Sequence, residues 1–315
     1  MRIVIPDDYQ RVVQQLDCFS LLEGFDVHVY HDAVSDPEVL AERFADADAL
    51  VLTRERTRID AVLLARLPKL KLISQTGRAG PHLDLEACRE RGVTVAEGTG
   101  SPIAAAELTW ALILNAQRQL REAMNGLYAG HWQVNLGQRL YGQTLCTWGY
   151  GKIGQRLARY ARAFDMRVLV WGSEASRQAA IADGYEAAPT RETFFEQADV
   201  LSLHLRLVPA TRHCVGAADL ARMKPDALLV NTSRAELIAP GALLDALSLG
   251  RPGQAALDVF EQEPILQVDH PLLTHPRVLC TPHLGYVEKH SYEAYFGEAF
   301  ANVRAFAMGA SGKGV

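Results

Sequence analysis

The stretch "TLCTWGYGKIGQRLARYARAFDMRVLVW", residues 144–171, decides how this chain folds. "TLCTW" reads as a buried strand, "KIGQRLARYARAF" carries apolar residues at helical spacing, and "RVLVW" is a second strand. Gly149, Gly151 and Gly154 fall at the first strand-to-helix junction in the spacing G-x-G-x-x-G, which is the context that motif needs. Gly149 permits a tight turn, Gly151 lets a pyrophosphate approach the backbone, and Gly154 lets the helix pack on the strand. Phosphates would then lie against the amides at the helix N-terminus, where the dipole favours negative charge. Gly149, Tyr150, Gly151, Lys152, Ile153 and Gly154 therefore form a candidate dinucleotide turn. On this motif alone, a methyltransferase, another nucleotide-binding sheet or a ligand-free turn stays open.

The same rhythm extends outward in both directions. Before it, "RIVIP", "FDVHVY", "ALVLT", "KLKLIS" and "VTVAE" read as strands, separated by the helical patterns "DPEVLAERFADA", "IDAVLLARL" and "DLEACRERG". After it come the strands "DVLSLHL", "DALLVN", "QAALDV" and "RVLCTPH". Strand, helix, strand repeated in this way implies parallel sheets with helices on both faces. Between the two series, "SPIAAAELTWALILNAQRQLREAMNGLYAG" reads as one long helix with Pro102 near its start. The tail "VEKHSYEAYFGEAFANVRAFAMG" is amphipathic helix, with Tyr292, Phe296, Phe300 and Val303 at helical spacing.

The bulk numbers exclude several classes. At 315 residues the chain has room for about two domains of roughly 150 residues. Its net charge of −5, with no Lys/Arg cluster, argues against a nucleic-acid surface. The most apolar window, "IAAAELTWALILNA", is about 14 residues long and carries Glu107, too short to span a bilayer. "MRIVIPDD" passes straight into a strand, so no secretory leader is expected. Five scattered cysteines (Cys18, Cys88, Cys146, Cys214, Cys280) without a C-x-x-C pair read as reduced structural thiols of a cytoplasmic protein, with no metal site.

Three further segments each close a predicted strand. "LLVNTSRAELI" carries Arg234, "ALDVFEQEP" carries Asp258 and Glu263, and "DHPLLTHPRVLCTPHLG" carries His283. In open α/β sheets the ligand crevice lies at those carboxyl ends, so a guanidinium, a carboxylate and an imidazole are expected to converge there. Singly, each has an ordinary alternative as a surface or loop residue.

Taken together, the segments make the chain similar to the D-isomer-specific 2-hydroxyacid dehydrogenase family. The resemblance covers nearly the whole chain. It rests on "LISQTGRAGPHLDLEACRERGVTVAEGTG", "GYGKIG", "NTSRAELI", "DVFEQEP" and "TPHLG", in family order and spacing. It implies two Rossmann-like domains, a flavodoxin-like substrate domain (1–100 and 289–315) interrupted by an NAD(P)-binding domain (101–288). The long helix after Ser101 would join them and take part in a homodimer. The implied reaction passes a hydride between a nicotinamide cofactor and a small 2-oxo or D-2-hydroxy acid. His283 would act as acid and base, oriented by Glu263, and Arg234 would clamp the substrate's carboxylate and carbonyl oxygens. His204, Thr232, Ser233 and Asp258 would touch the cofactor. "TGRAG" matches the loop whose amides cradle the substrate carboxylate, so Arg78 and Ala79 join the substrate set, with Arg54 and Arg56 of "TRERT". Arg78 turned inward would suit a more anionic or polar substrate; turned outward it is solvated. Two relatives of the same fold stay open: a nicotinamide-sensing corepressor with little turnover, and a phosphite-type dehydrogenase.

In NAD-dependent relatives the second strand of the unit ends on an acid that holds the adenosine ribose. Here Gly172 takes that place, followed by Ser173, Glu174, Ala175, Ser176 and Arg177. The loss of the acid, with Ser173 and Arg177 nearby, leads us to expect NAD(P) binding with NADPH modestly favoured. Glu174 cuts the other way, either replacing the ribose acceptor or repelling a phosphate.

Overall fold

The computed structural model describes residues 1–309. These group into two compact units, Met1–Ser101 with the stretch from Val287 onward, and Pro102–Tyr286. Residues 310–315 of the expected substrate-domain tail lie outside the described residues.

The first unit holds β1 (Arg2–Ile5), β2 (Asp26–Val29), β3 (Ala49–Leu52), β4 (Leu72–Gln75) and β5 (Thr94–Ala96), all parallel in the order β2-β1-β3-β4-β5. Its connecting helices are α1 (Pro37–Phe44), α2 (Ala61–Ala65) and α3 (Leu85–Glu90). Each starts on an aspartate, Asp36, Asp60 or Asp84, whose side chain accepts from a first-turn amide and so satisfies a donor the helix cannot. The strands β3 and β4 are buried at every position; β3 reads as an unbroken apolar run, whereas β4 ends on the buried polar pair Ser74 and Gln75.

The second unit opens with α4 (Ile103–Arg118) and α5 (Leu120–Tyr128). Then follow β6 (Thr144–Trp148), α6 (Lys152–Ala163), β7 (Arg167–Trp171), α7 (Glu174–Ala182), β8 (Glu186–Ala187), α8 (Arg191–Gln197), β9 (Val200–Leu203), α9 (Ala217–Leu220), β10 (Leu228–Asn231), α10 (Ala242–Ser248), β11 (Gln254–Leu257), α11 (Pro271–Thr274) and β12 (Val278–Cys280). The seven strands are parallel in the order β12-β11-β10-β9-β6-β7-β8. Successive strand residues feed opposite faces. Leu201 and Leu229 pack with Phe194, Phe195 and Leu247 on one side. Val200, Leu228 and Val230 pack with Trp110, Ile113 and Leu157 on the other. The chain then returns to the first unit as α12 (Lys289–Ala307), which buries Tyr292, Tyr295, Phe296, Phe300 and Val303. The architecture is the α/β pair of parallel sheets expected from the sequence.

The single long helix expected after Ser101 is instead two. Gln119 takes a left-handed conformation (φ 50°) between α4 and α5. Downstream residues fold back to use the freed carbonyls: Gln138 N donates to Gln117 O at 2.7 Å, and Asn135 Nδ2 donates to Gln119 O at 2.7 Å. The apolar stripe changes there too. α4 buries eight residues, whereas α5 buries none.

Gly154 shows how tightly α6 meets β6. A Cβ on it would lie 2.3 Å from the carbonyl oxygen of Gly149, a backbone atom that cannot swing aside. Gly154→Ala is expected to destabilise the second unit by about 1–3 kcal/mol, read as a lower urea midpoint. An unchanged midpoint would show that the turn yields.

Candidate active site

The order of the second sheet reverses between β6 and β9, and the glycine turn stands at that switch point. Gly149 has φ +103°, and a Cβ there would come within 2.5 Å of His204 O, at the end of β9. Only glycine fits a turn this close to the neighbouring strand. Gly151 precedes α6 as its N-cap, and a Cβ on it would meet nothing within 4 Å. Open space thus faces the first amides of a 12-residue helix, a cradle suited to a pyrophosphate. Lys152 is exposed, and Ile153 packs into the core behind α6. Tyr150 contributes backbone only. Its side chain is buried, its hydroxyl donates to Asp183 Oδ2 at 2.7 Å, and burial pushes its pKa up.

Other residues expected at the cofactor have defined places. His204 Nε2 lies 2.8 Å from Ser202 Oγ, while Nδ1 is buried without a hydrogen-bond partner. Burial lowers its pKa to about 3, so the ring is neutral. An unsatisfied buried nitrogen at the switch point, beside a glycine cradle, fits a polar ligand. The Thr232 hydroxyl pairs with Thr109 Oγ1 of α4 at 2.7 Å, and Ser233 Oγ donates to Leu203 O at 2.7 Å. These two hydroxyls bind the protein itself.

At the end of β7, Gly172 has φ +154°, a conformation that favours glycine. Ser173 caps α7, accepting from Ser176 N at 3.3 Å. Arg177 Nη2 donates to Glu174 Oε2 at 2.6 Å, and its guanidinium lies 5.0 Å from the Trp171 ring centroid. Gln178 Nε2 donates to Glu174 Oε1 at 2.7 Å. Glu174 is therefore drawn back along its own helix.

Three adjacent strands, β10, β11 and β12, deliver the remaining residues at one sheet edge. Arg234 follows β10, and its Nη1 donates to Ser233 O at 2.6 Å. Glu263 follows β11; its Oε1 accepts from Phe260 N at 2.8 Å, which fixes the carboxylate. His283 follows β12, and its Nδ1 lies 2.5 Å from Glu263 Oε2. That contact leaves Nε2 as the ring's working nitrogen.

Asp258 directly follows β11. Its carboxylate is fully buried and accepts from Thr281 Oγ1 (2.7 Å), Leu284 N (2.7 Å) and Gly285 N (2.9 Å). Both oxygens are used to hold the turn that carries His283, a residue in the left-handed region at φ 52°. Burial pushes the Asp258 pKa up, opposed by the Thr281 hydroxyl, the Leu284 amide, the charge of His283 and the Gly285 amide. Thr281, which sequence reasoning did not single out, supports this turn through its bond to Asp258; its only signal was its place in "TPHLG".

In the first unit the switch point lies between β1 and β3. Arg54 follows β3 with φ 53°; its Nη1 donates to Thr76 O at 3.1 Å, and its side chain lies across Gly77. Arg56 donates to Asp7 O at 2.6 Å and to the Tyr292 hydroxyl at 3.2 Å, with Tyr9 beneath it at 4.4 Å. Those partners are internal to the first unit. The amide of Ala79 is likewise taken, by Glu97 Oε1 at 2.7 Å. Arg78, between them, is exposed.

Among the described residues there is no cluster of metal-type ligands, and no helix is long and apolar enough to cross a membrane. All five cysteines are free, and burial pushes Cys18 to about 12 and Cys88 and Cys280 to about 11. Thiols held that high are poor nucleophiles.

Comparison with known proteins adds four findings. The sequence profile for "D-isomer specific 2-hydroxyacid dehydrogenase, NAD binding domain" matches residues 110–285. Glyoxylate reductase of Aeropyrum pernix is 36% identical over 300 residues, covering 92% of this chain and 89% of that protein. D-3-phosphoglycerate dehydrogenase of Methanocaldococcus jannaschii is 38% identical over 251 residues, covering 79% of this chain. This chain spans about half (47%) of that relative's length. Among solved structures, a phosphoglycerate oxidoreductase from Vibrio cholerae superposes with a TM-score of 0.96 at 56% identity, covering 98% of this chain and 99% of its own.

Proposed function

This chain belongs to the D-isomer specific 2-hydroxyacid dehydrogenase family, and from that premise we propose that it interconverts a small 2-oxo acid and the matching D-2-hydroxy acid. The observation that carries this reading is the His283–Glu263 pair at 2.5 Å, on the same sheet edge as Arg234. A bound nicotinamide dinucleotide supplies the hydride donor or acceptor. His283 carries the proton at Nε2, giving it to the carbonyl oxygen in reduction and taking it from the hydroxyl in oxidation. Glu263 holds the ring's other nitrogen and so fixes the orientation of the imidazole. Arg234 offers a planar fork to the carboxylate and carbonyl oxygens, which orients the substrate and draws electron density from the carbonyl carbon. Gly149, Gly151 and the amides that open α6 receive the pyrophosphate.

Arg78 is exposed in the loop after β4, with no partner among the described residues, and we read it as a contact for a second anionic or polar group on the substrate. Relatives named for phosphoglycerate agree with that reading. The direct test is a panel of 2-oxo acids (glyoxylate, hydroxypyruvate and its phosphate ester) with NADH and with NADPH, followed at the nicotinamide absorbance band. Turnover is expected with at least one of them; none across the panel would leave a binding protein of this fold. His283→Asn is expected to lower kcat about a hundredfold or more while dinucleotide still binds. Near wild-type turnover in that variant would end its role as proton carrier.

At the adenosine end, Gly172 removes the acid that would repel a 2′-phosphate. Ser173, Ser176 and Arg177 stand ready to meet one, although Arg177 must share its charge with Glu174. We therefore read both cofactors as accepted, with NADPH modestly favoured. Arg177→Ala should weaken NADPH binding about tenfold and leave NADH binding within twofold, by fluorescence titration of each reduced cofactor. Equal losses for both would assign Arg177 a structural part.

The segment from α5 to residue 141 exposes Tyr128 (79%), Trp132 (79%) and Leu136 (92%) with Leu127 and Tyr141. So much apolar surface in one stretch suits an interface, and we assign it to a second copy of this chain, within a reducing cytoplasm that keeps the five thiols free. Light scattering after gel filtration should give twice the chain mass, and Leu136→Asp together with Trp132→Asp should halve it. A wild-type monomer would reject the dimer.

A further inference from the structure

One ring beside His283 has no part in the chemistry above. Tyr286 stands three residues further along the same turn, and its ring packs edge to face against the imidazole, with centroids 5.5 Å and planes 72° apart. Both side chains are half-buried. The backbone between them is anchored, because Asp258 accepts the amides of Leu284 and Gly285. The two rings are thus mounted on one short, fixed support.

That arrangement answers a geometric need. The Nδ1–Glu263 contact fixes one corner of the imidazole. A single hydrogen bond leaves the ring free to swing about that contact, and the second side-chain torsion of histidine is intrinsically broad. Proton transfer from Nε2 requires a narrow range of orientation. A flat ring standing at a steep angle to the imidazole closes off the swing that the carboxylate permits. Aromatic pairs favour this edge-to-face arrangement, because a positive ring edge meets a negative face.

We propose that Tyr286 is a positioning residue: its ring backs the His283 imidazole and holds Nε2 in line for proton transfer. The proposal rests on His283 being the proton carrier. It requires the ring and not the phenol hydroxyl, so the conservative variant separates the two.

The test compares Tyr286→Ala with Tyr286→Phe in the full chain, using whichever 2-oxo acid the panel identifies. Tyr286→Ala should lower kcat about tenfold, with dinucleotide affinity unchanged, and Tyr286→Phe should restore most of the loss. An independent readout needs no turnover. The His283 ring-proton NMR signal, identified by its absence in His283→Asn, should carry a ring-current displacement that Tyr286→Ala removes and Tyr286→Phe keeps. If Tyr286→Ala does not fold, Tyr286→Leu fills the space without a flat ring and should show the same losses. Turnover within about twofold of wild type in the Ala or Leu variant would overturn the proposal. So would a Phe variant as slow as Ala, which would place the effect on the hydroxyl. A wild-type protein inert on the whole panel would instead defeat the assignment of His283, and the NMR comparison would still decide whether the ring holds the imidazole.

Discussion

The site depends on one buried carboxylate. Asp258 closes β11 and receives three hydrogen bonds from residues 281, 284 and 285, which follow β12. A carboxylate without water is costly unless its oxygens are satisfied, and here the turn around His283 satisfies them. The dependence runs both ways. Without the turn, Asp258 would be a stranded charge. Without Asp258, the turn that keeps His283 in the left-handed region beside Glu263 would lose three of its hydrogen bonds. The imidazole is therefore placed by its strand neighbours more than by its own loop.

Much of this was legible in the amino-acid order. Parallel strands buried on both faces are predominantly apolar, and "ALVL" and the first three residues of "LLVN" read that way. The glycine turn was legible because its constraint is local: strand, tight turn and helix lie within about a dozen residues of one another. Arg234, Glu263 and His283 stood out because each follows a strand, and a parallel sheet gathers strand ends along one edge.

What escaped the sequence was decided by distant partners. The break at Gln119 depends on Asn135 and Gln138 folding back onto the last carbonyls of α4, which helical periodicity does not record. Arg56 donates to Asp7 and Tyr292, one far before it and one far after, contacts that "TRERT" alone does not record. The three donors that hold Asp258 lie 23 to 27 positions downstream, a set of partners the order of residues does not announce. The two-residue strand β8 is too short for any alternating pattern. Sequence reading locates side chains that matter more readily than it says which atom each one holds.

The return of α12 to the first unit sets the order in which the protein is made. Strands β1 to β5 leave the ribosome first, but the core they share with Phe296 and Phe300 is completed only by residues after Val287. Ser74 of β4 even donates its hydroxyl to Ala299 O, at 2.8 Å. At roughly 5–20 residues per second, the intervening segment 102–286 takes about ten to forty seconds to emerge. That segment is contiguous and can close its own sheet meanwhile. The first hundred residues wait with an apolar face open to the solvent. During synthesis the middle segment can therefore close first, and the first hundred residues, though made earlier, complete their core only when α12 arrives.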